Sequence, residues 1–255
     1  MTEHVLTEVD QGVLVVRLNR PKKLNALTSE MYSVMADAIE TAENDRSIKV
    51  VLYTSTSNHF TAGNDLNDFL TQTPDGSLRQ VDRFINNMVS TDVPLMAAVE
   101  GVAVGIGTTM LLHFDQVLAS ENARFSLPFI NLGLVPEAGS SALLVNACGY
   151  KKAAELLMQG DMFLSAKALE CGIVSRVCPP QNLQQEALAA ARALAAKPVD
   201  ALRATKRLLR RPPEPLAQRV EAERDTFGHC LATPIAREAM TAILEKRAPD
   251  FTGLD

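Results

Sequence analysis

The sequence predicts an α/β protein, a sheet-based core followed by a helical C-terminal section. Three observations carry that expectation. Short apolar, β-rich runs alternate with helical patterns up to about residue 180, after which helices stand alone. Pro179-Pro180 punctuates the change, and Pro212, Pro213 and Pro215 mark a second break after Arg210-Arg211. Hydrophobic residues make up 47% of the 255 positions, ample for a packed core, and 22% charged residues give no signature of disorder.

Val5–Val9 and Val13–Leu18 read as strands joined in a hairpin at Asp10-Gln11-Gly12. Pro21 ends strand character. Thr28 or Ser29 caps a helix running to about Glu43, with Met31, Met35, Ala38, Ile39 and Ala42 as its apolar stripe. Lys49–Thr54 reads as a buried strand, Ser77–Ser90 as a helix and Pro94–Val99 as another strand. Gly101–Gly107 reads as a glycine-rich turn into a helix at Thr108–Phe114, before short strands at Gln116–Ala119 and Ala123–Ser126. From Pro136 onward helices dominate, apart from a strand at Ile173–Cys178 after the Cys171-Gly172 stop. There is no internal repeat and no low-complexity tract.

Composition narrows the partners. A net charge of −5, no tryptophan and 5% aromatics give no reason to invoke nucleic acid or an anionic membrane. Cys148, Cys171, Cys178 and Cys230 lack C-x-x-C spacing and have no His cluster nearby, so they read as reduced, mostly buried thiols rather than metal ligands. The N-terminus has no basic region followed by an apolar run, and no apolar stretch approaches the ~18 residues of a spanning helix. Gly-Leu-Asp at the C-terminus is not a Ser-Lys-Leu address. A soluble protein in a reducing cytoplasm is the expectation.

Three stretches carry the chemistry: His59-Phe-Thr-Ala-Gly-Asn-Asp-Leu66, Glu100-Gly-Val-Ala-Val-Gly-Ile-Gly107 and Pro128-Phe-Ile-Asn-Leu-Gly-Leu-Val-Pro-Glu-Ala-Gly-Ser-Ser141. Gly63 permits a tight turn that aims the following amide, on Asn64, into a cleft. Gly105 and Gly107 flank Ile106 just ahead of a helix, where amides lack intrahelical partners and carry partial positive charge. Two such donors converging on one point make an oxyanion hole. Each loop alone is equally a common packing turn. A dinucleotide-binding reading of Gly105-Ile-Gly107 fails, because the third glycine would fall at Met110. Glu137 is the carboxylate read as chemical, with Asp65 read as support for its own loop. Pro136-Glu137 is also plain helix-start grammar, so a surface carboxylate favoured by a helix end is the alternative. His4, His59, His113 and His229 share no spacing with a nucleophile elbow and read as core or surface residues.

Together these segments resemble the crotonase (enoyl-CoA hydratase/isomerase) superfamily over nearly the whole chain. Leu18-Asn-Arg-Pro-Lys-Lys-Leu-Asn-Ala-Leu27 is similar to the family's N-terminal signature, which implies coenzyme A contacts at Lys22, Leu24 and Ala26. Ala62-Gly63-Asn64-Asp65-Leu66 matches the A-G-x-D-[LI] loop; the resemblance assigns the Asn64 N–H to the oxyanion hole and its neighbours to the adenine side of the ligand. The Glu100–Gly107 loop puts the second donor on Ile106, beside Gly105; glycine is usual at that place, and isoleucine is tolerable because the main chain donates. Thr109 and Phe129 stand where family hydratases carry glutamates. The Pro128–Ser141 stretch instead resembles the Δ3,Δ2-enoyl-CoA isomerase branch, whose base falls at Glu137. Met240–Arg247 resembles the last helix, with Lys246 reaching coenzyme A phosphates and Thr233-Pro234 as its cap.

The resemblance implies a spiral of ββα turns over residues 1–195 and a helical C-terminal trimerisation region over 196–255, assembled as a homotrimer or dimer of trimers. It implies an isomerase of fatty-acid β-oxidation that moves a β,γ double bond to the α,β position through a dienolate. Coenzyme A enters with the substrate, with no further cofactor and no metal. One carboxylate suffices for that proton transfer, its pKa raised by an apolar setting around Leu132, Leu134 and Val135 and opposed by the helix end. Hydration, thioester hydrolysis, decarboxylation and non-catalytic acyl-CoA binding are the alternatives. Arg203, Lys206, Arg207, Arg210 and Arg211 read as a solvated basic face, or else as a site for coenzyme A phosphates.

Overall fold

The computed structural model describes residues 3–71, 78–251 and 253–254. The hairpin β1 (Val5–Asp10) and β2 (Val13–Leu18) leads to helix α1 (Ser29–Asn44), strand β3 (Val50–Ser55) and helices α2 (Leu66–Thr71) and α3 (Arg79–Ser90). Next come β4 (Leu95–Val99), β5 (Val102–Val104) and α4 (Ile106–Thr109), then β6 (Gln116–Ser120), β7 (Arg124–Ser126), α5 (Ser140–Cys148) and α6 (Tyr150–Gln159). Strand β8 (Phe163–Leu164), α7 (Ser165–Glu170) and β9 (Arg176–Cys178) precede four helices: α8 (Leu183–Ala195), α9 (Val199–Leu209), α10 (Leu216–Leu231) and α11 (Pro234–Leu244).

The strands form a six-stranded sheet, β1-β2-β3-β4-β6-β9, and a three-stranded sheet, β5-β7-β8. Only β1–β2 and β7–β8 are antiparallel. The middle turns of chain lay one strand in the large sheet, the next in the small one, and then a helix, as in β4-β5-α4 and β6-β7-α5. This is the ββα spiral that the family resemblance implies.

Local chemistry explains the first turn. Gln11 (φ 50°) and Gly12 (φ 80°) both adopt the left-handed conformation that joins twisted antiparallel strands with two residues. Thr28 caps α1 by accepting from the Met31 N–H, and all five residues of the expected apolar stripe are buried. The large sheet is covered on both faces. Leu14, Val16, Val51, Tyr53, Leu95 and Ala97 pack in one cluster with α1 and α3 residues such as Met35 and Phe84. The alternate residues Val13, Val15, Val50, Leu52, Met96 and Ala98 meet α8 through Leu183, Ala187, Ala191 and Ala195. The four-residue spacing of that small-residue stripe lets α8 lie close against the sheet. Pro179-Pro180 therefore does not end the sheet's packing.

Several local expectations shift. Val102–Val104 forms β5 inside the supposed glycine turn, because pairing with β7 organises three residues too short to read as a strand. Helix α4 starts at Ile106, not Thr108, and passes into a 3-10 turn at Met110–His113. The two-residue β8 was not foreseen, and the strand expected at Ile173–Cys178 shortens to β9. Ser77, the expected start of α3, lies outside the described residues. Ala138 (φ 51°) and Gly139 (φ 69°) delay α5 until Ser140, so Pro136-Glu137 is not a helix start.

The basic stretch at the end of α9 is only partly a solvated face: Arg207, Arg210 and Arg211 are exposed, whereas Lys206 is buried and Arg203 half-buried. Lys206 is 4% exposed, and its Nζ donates to the Val93 carbonyl (2.6 Å) and Asp115 Oδ2 (2.8 Å). Arg203 donates to the Ala42 carbonyl (2.9 Å) and pairs with Glu43 (3.5 Å), while Arg207 pairs with Asp92 (2.6 Å). Arg210 donates to the carbonyls of Met88, Thr91 and His113, and Arg211 pairs with Glu214. Arg203, Lys206 and Arg210 tie this stretch to carbonyls of neighbouring elements. Burial pulls the Lys206 pKa down to about 8, against the pull of Asp115. Lys206→Met should lower stability by about 3 kcal/mol in urea unfolding, since it strands a buried carbonyl and part of a carboxylate. Among the described residues, no helix is long and apolar enough to cross a membrane.

Candidate active site

The first two sequence motifs meet edge to edge. Thr61 N–H donates to the Val102 carbonyl (2.9 Å) and Val104 N–H to the Thr61 carbonyl (3.0 Å), a parallel bridge between Thr61 and Ala103. Two glycines allow that approach. A Cβ on Gly63 would lie 2.6 Å from the Val104 carbonyl oxygen, and one on Gly107 would lie 2.6 Å from Thr61 Cγ2. Gly63 also holds φ +88°, which side chains rarely adopt.

A second bridge turns the Asn64 amide outward. Leu27 donates to the Gly63 carbonyl (2.8 Å) and accepts from the Asp65 N–H (2.9 Å), so the bonds flank Asn64 and leave its own N–H facing away. On the other loop, the Gly105 N–H goes to Ser126, and the Thr108 and Thr109 N–H groups share the Gly105 carbonyl. Among the described residues, neither the Asn64 nor the Ile106 N–H has a protein acceptor. Both residues line one cavity of about 480 Å³. The Ile106 side chain, the departure from glycine, turns into the core and is fully buried.

Of the other site residues expected from sequence, Ala26, Ala62, Gly63, Asp65, Leu66 and Gly105 line this cavity. Lys22 and Leu24 do not; Lys23 takes the lysine's place on the wall, and Leu24 contributes a carbonyl that accepts from the Ala62 N–H (2.9 Å). Lys246, just past α11, is not on the wall. Phe129, Asn131, Leu132 and Leu134 supply wall that the motif reading did not assign.

Asp65 supports its loop, as expected. Arg20 Nη1 donates to Asp65 Oδ2 (2.6 Å) and to the Ala26 carbonyl (2.9 Å), and Asp65 Oδ1 caps the N–H groups of Asn67 and Asp68. The guanidinium holds the Asp65 carboxyl below its usual range. Fully buried Asn25 completes the tie, accepting from the Arg20 N–H (2.7 Å) and donating to the carbonyls of His59 (2.8 Å) and Phe60 (3.0 Å). The N-terminal signature thus clamps the first motif in place.

Glu137 is half-buried but is not on the cavity wall. Its carboxylate accepts from the Thr109 hydroxyl, and fully buried Thr109 lies one turn along from Ile106. Burial pushes the Glu137 pKa up, opposed by the Thr109 bond. The rival helix-end effect drops out, because α5 begins three residues later. The apolar setting is not the one expected: Leu132 and Leu134 are exposed beside the cavity, and Val135 is 79% exposed.

Sequence reasoning missed Tyr32. It sits in α1 at 1% exposure, and its hydroxyl donates to Asn64 Oδ1 (2.5 Å). Burial, with the Glu137 charge adding to it, pushes the phenol pKa well up. Within the apolar stripe of α1, nothing local marks this tyrosine as different from its core neighbours. Tyr32 thus ties α1 to Asn64, and Thr109 ties the helix of Ile106 to Glu137. His113 is structural: its Nε2 lies 2.7 Å from the Ala138 carbonyl, steadying the turn after Glu137.

Comparison with known proteins shows the family. Residues 8–254 match the family model described as enoyl-CoA hydratase/isomerase. The chain is 34% identical over 262 residues to the 1,2-epoxyphenylacetyl-CoA isomerase of Escherichia coli (strain K12), covering 99% of this chain and 100% of that protein. It is also 34% identical over 255 residues to the 2,3-dehydroadipyl-CoA hydratase of the same organism, covering 99% and 100%. A solved structure named enoyl-CoA hydratase/carnithine racemase from Magnetospirillum magneticum AMB-1 superposes with a TM-score of 0.94 at 46% identity, over 99% of this chain and 100% of that one. The chain belongs to the enoyl-CoA hydratase/isomerase family of the crotonase superfamily.

Proposed function

We propose that this enzyme moves the double bond of a β,γ-enoyl-CoA to the α,β position, as fatty-acid β-oxidation requires. One observation carries the reading. The carboxylate bound to the helix of the Ile106 amide is Glu137, and the two places where family hydratases carry glutamates hold Thr109 and Phe129. Thr109 directs its hydroxyl at Glu137 itself. Hydration asks for two acid/base groups, whereas a 1,3-proton shift needs one.

In this scheme the thioester oxygen accepts from the Asn64 and Ile106 N–H groups. Glu137 removes the α-proton; the C–H electrons pass into a dienolate whose charge collects on that oxygen. The protonated Glu137 then returns the proton to the γ-carbon, leaving the α,β double bond. Each donor of such a hole contributes roughly 3–4 kcal/mol of transition-state stabilisation. Coenzyme A arrives with the substrate, beside Lys23 and Ala26, and the route asks for no further cofactor.

Supplying one β,γ-enoyl-CoA and one α,β-enoyl-CoA side by side tests the reading. Isomerisation of the first should dominate; hydration of crotonyl-CoA at a rival rate would overturn it in favour of a hydratase. The raised Glu137 pKa also has a direction. The base must be ionised, so kcat should rise with pH along an acidic limb placed above the ordinary glutamate value of about 4.3. A kcat profile whose limb falls at or below that value would contradict the base assignment.

For assembly, α10 buries none of its residues, and Leu216, Phe227 and Leu231 on it are exposed together with Ile243 and Leu244 of α11. This uncovered apolar surface supports a homotrimer or dimer of trimers. Light scattering should return three or six chains, and a monomer would refute it.

A further inference from the structure

We propose that Tyr32 is a positioning residue of the active site, its hydroxyl fixing the carboxamide of Asn64 and, through it, the direction of the Asn64 main-chain N–H. The inference rests on the reading of that N–H as a thioester donor. Tyr32 lies in the core among the apolar residues of α1, with its ring 5.8 Å from that of Phe84. Phenylalanine would fill this volume without bringing a polar atom into it. The hydroxyl instead makes one hydrogen bond among the described residues, to Asn64 Oδ1 at 2.5 Å. A buried phenol with a single partner on a site loop is a tether.

The loop is otherwise held through the neighbours of Asn64. The Gly63 N–H donates to Thr61 Oγ1 (3.1 Å), and Leu27 bonds the Gly63 carbonyl and the Asp65 N–H. Asn64 makes none of those bonds itself, and the phenol is what fixes its side chain. Because the hydroxyl donates into Oδ1, the amide nitrogen points the other way, and among the described residues it has no protein acceptor. Burial pushes the phenol pKa well above its ordinary value, so it is a donor at neutral pH.

A double-mutant cycle decides the matter. Tyr32→Phe should lower kcat roughly 3- to 10-fold, the worth of one hydrogen bond, with KM within about twofold and the fold retained at a modestly lower unfolding midpoint. Asn64→Ala keeps the main-chain N–H and removes the carboxamide, so it should cost a similar factor. The double variant should be no slower than either single one, as for two ends of one contact. Unchanged kcat in Tyr32→Phe, losses that multiply in the double variant, or an effect confined to KM would overturn the proposal. Should Tyr32→Phe not fold, Asn64→Ala decides alone, an unchanged kcat again being fatal. The cycle is run on whichever enoyl-CoA reaction the wild type performs. A wild type that hydrates rather than isomerises thus strikes the proposed function, whereas additivity strikes Tyr32.

Discussion

Glu137→Gln is expected to reduce isomerisation of a β,γ-enoyl-CoA by about 10²- to 10⁴-fold, the usual contribution of a positioned acid–base group. The substitution keeps the side chain's size and leaves an oxygen to accept from Thr109, so the surrounding turn has no reason to move. Acyl-CoA binding should persist, since the substitution alters neither the two N–H donors nor the residues that line the cavity. The variant should also be at least as stable as the wild type near neutral pH. A carboxyl whose pKa is raised on folding disfavours the folded state once ionised, and glutamine removes that charge. The stability difference should shrink as pH falls through the raised folded value and be gone below the unfolded glutamate value of about 4.3, where the carboxyl is neutral in both states. An inactive variant with a gain in stability would fit the trade-off common at catalytic sites. Wild-type turnover in Glu137→Gln would end the assignment.

Gly63→Ala is the second large effect. The new Cβ would press on the Val104 carbonyl at 2.6 Å, and that carbonyl belongs to the strand leading into the Ile106 loop. Backbone cannot yield there without displacing one donor from the other. Left-handed strain alone costs roughly 1–2 kcal/mol. Losing the alignment of one oxyanion donor should remove about 10²- to 10³-fold in kcat. Gly105→Ala makes a useful contrast, since its Cβ meets nothing within 4 Å and only its φ of +56° is strained. It should lose stability without the collision. Equal activity in Gly63→Ala and wild type, measured on the same enoyl-CoA, would show that the two loops do not jointly hold the thioester.

Much of the fold is visible in short windows of the chain. Asp10-Gln11-Gly12 specifies a two-residue hairpin, Thr28 a helix start, and the Met31–Ala42 stripe its buried face. Such features depend on neighbours within a turn or two. The elements that were misjudged depend on distant ones. Strands β5 and β8 are two or three residues long and exist because β7 lies between them. The basic run at α9 reads as solvated by composition and is so at Arg207, Arg210 and Arg211, yet Val93 and Asp115, about a hundred residues earlier, draw Lys206 inward.

The site divides in the same way. Glycine spacing around Asn64 and Ile106 and the candidate carboxylate at Glu137 are written in local residue order, because backbone amides and turn geometry need few residues to define. What surrounds them is not. Whether Glu137 is governed by a helix end or by burial, which lysine reaches the cavity, and that a core tyrosine serves a loop 32 residues away are settled only when sheets and helices close on one another. Desolvation and side-chain hydrogen bonds between remote segments arise from packing, and no window of sequence contains both partners.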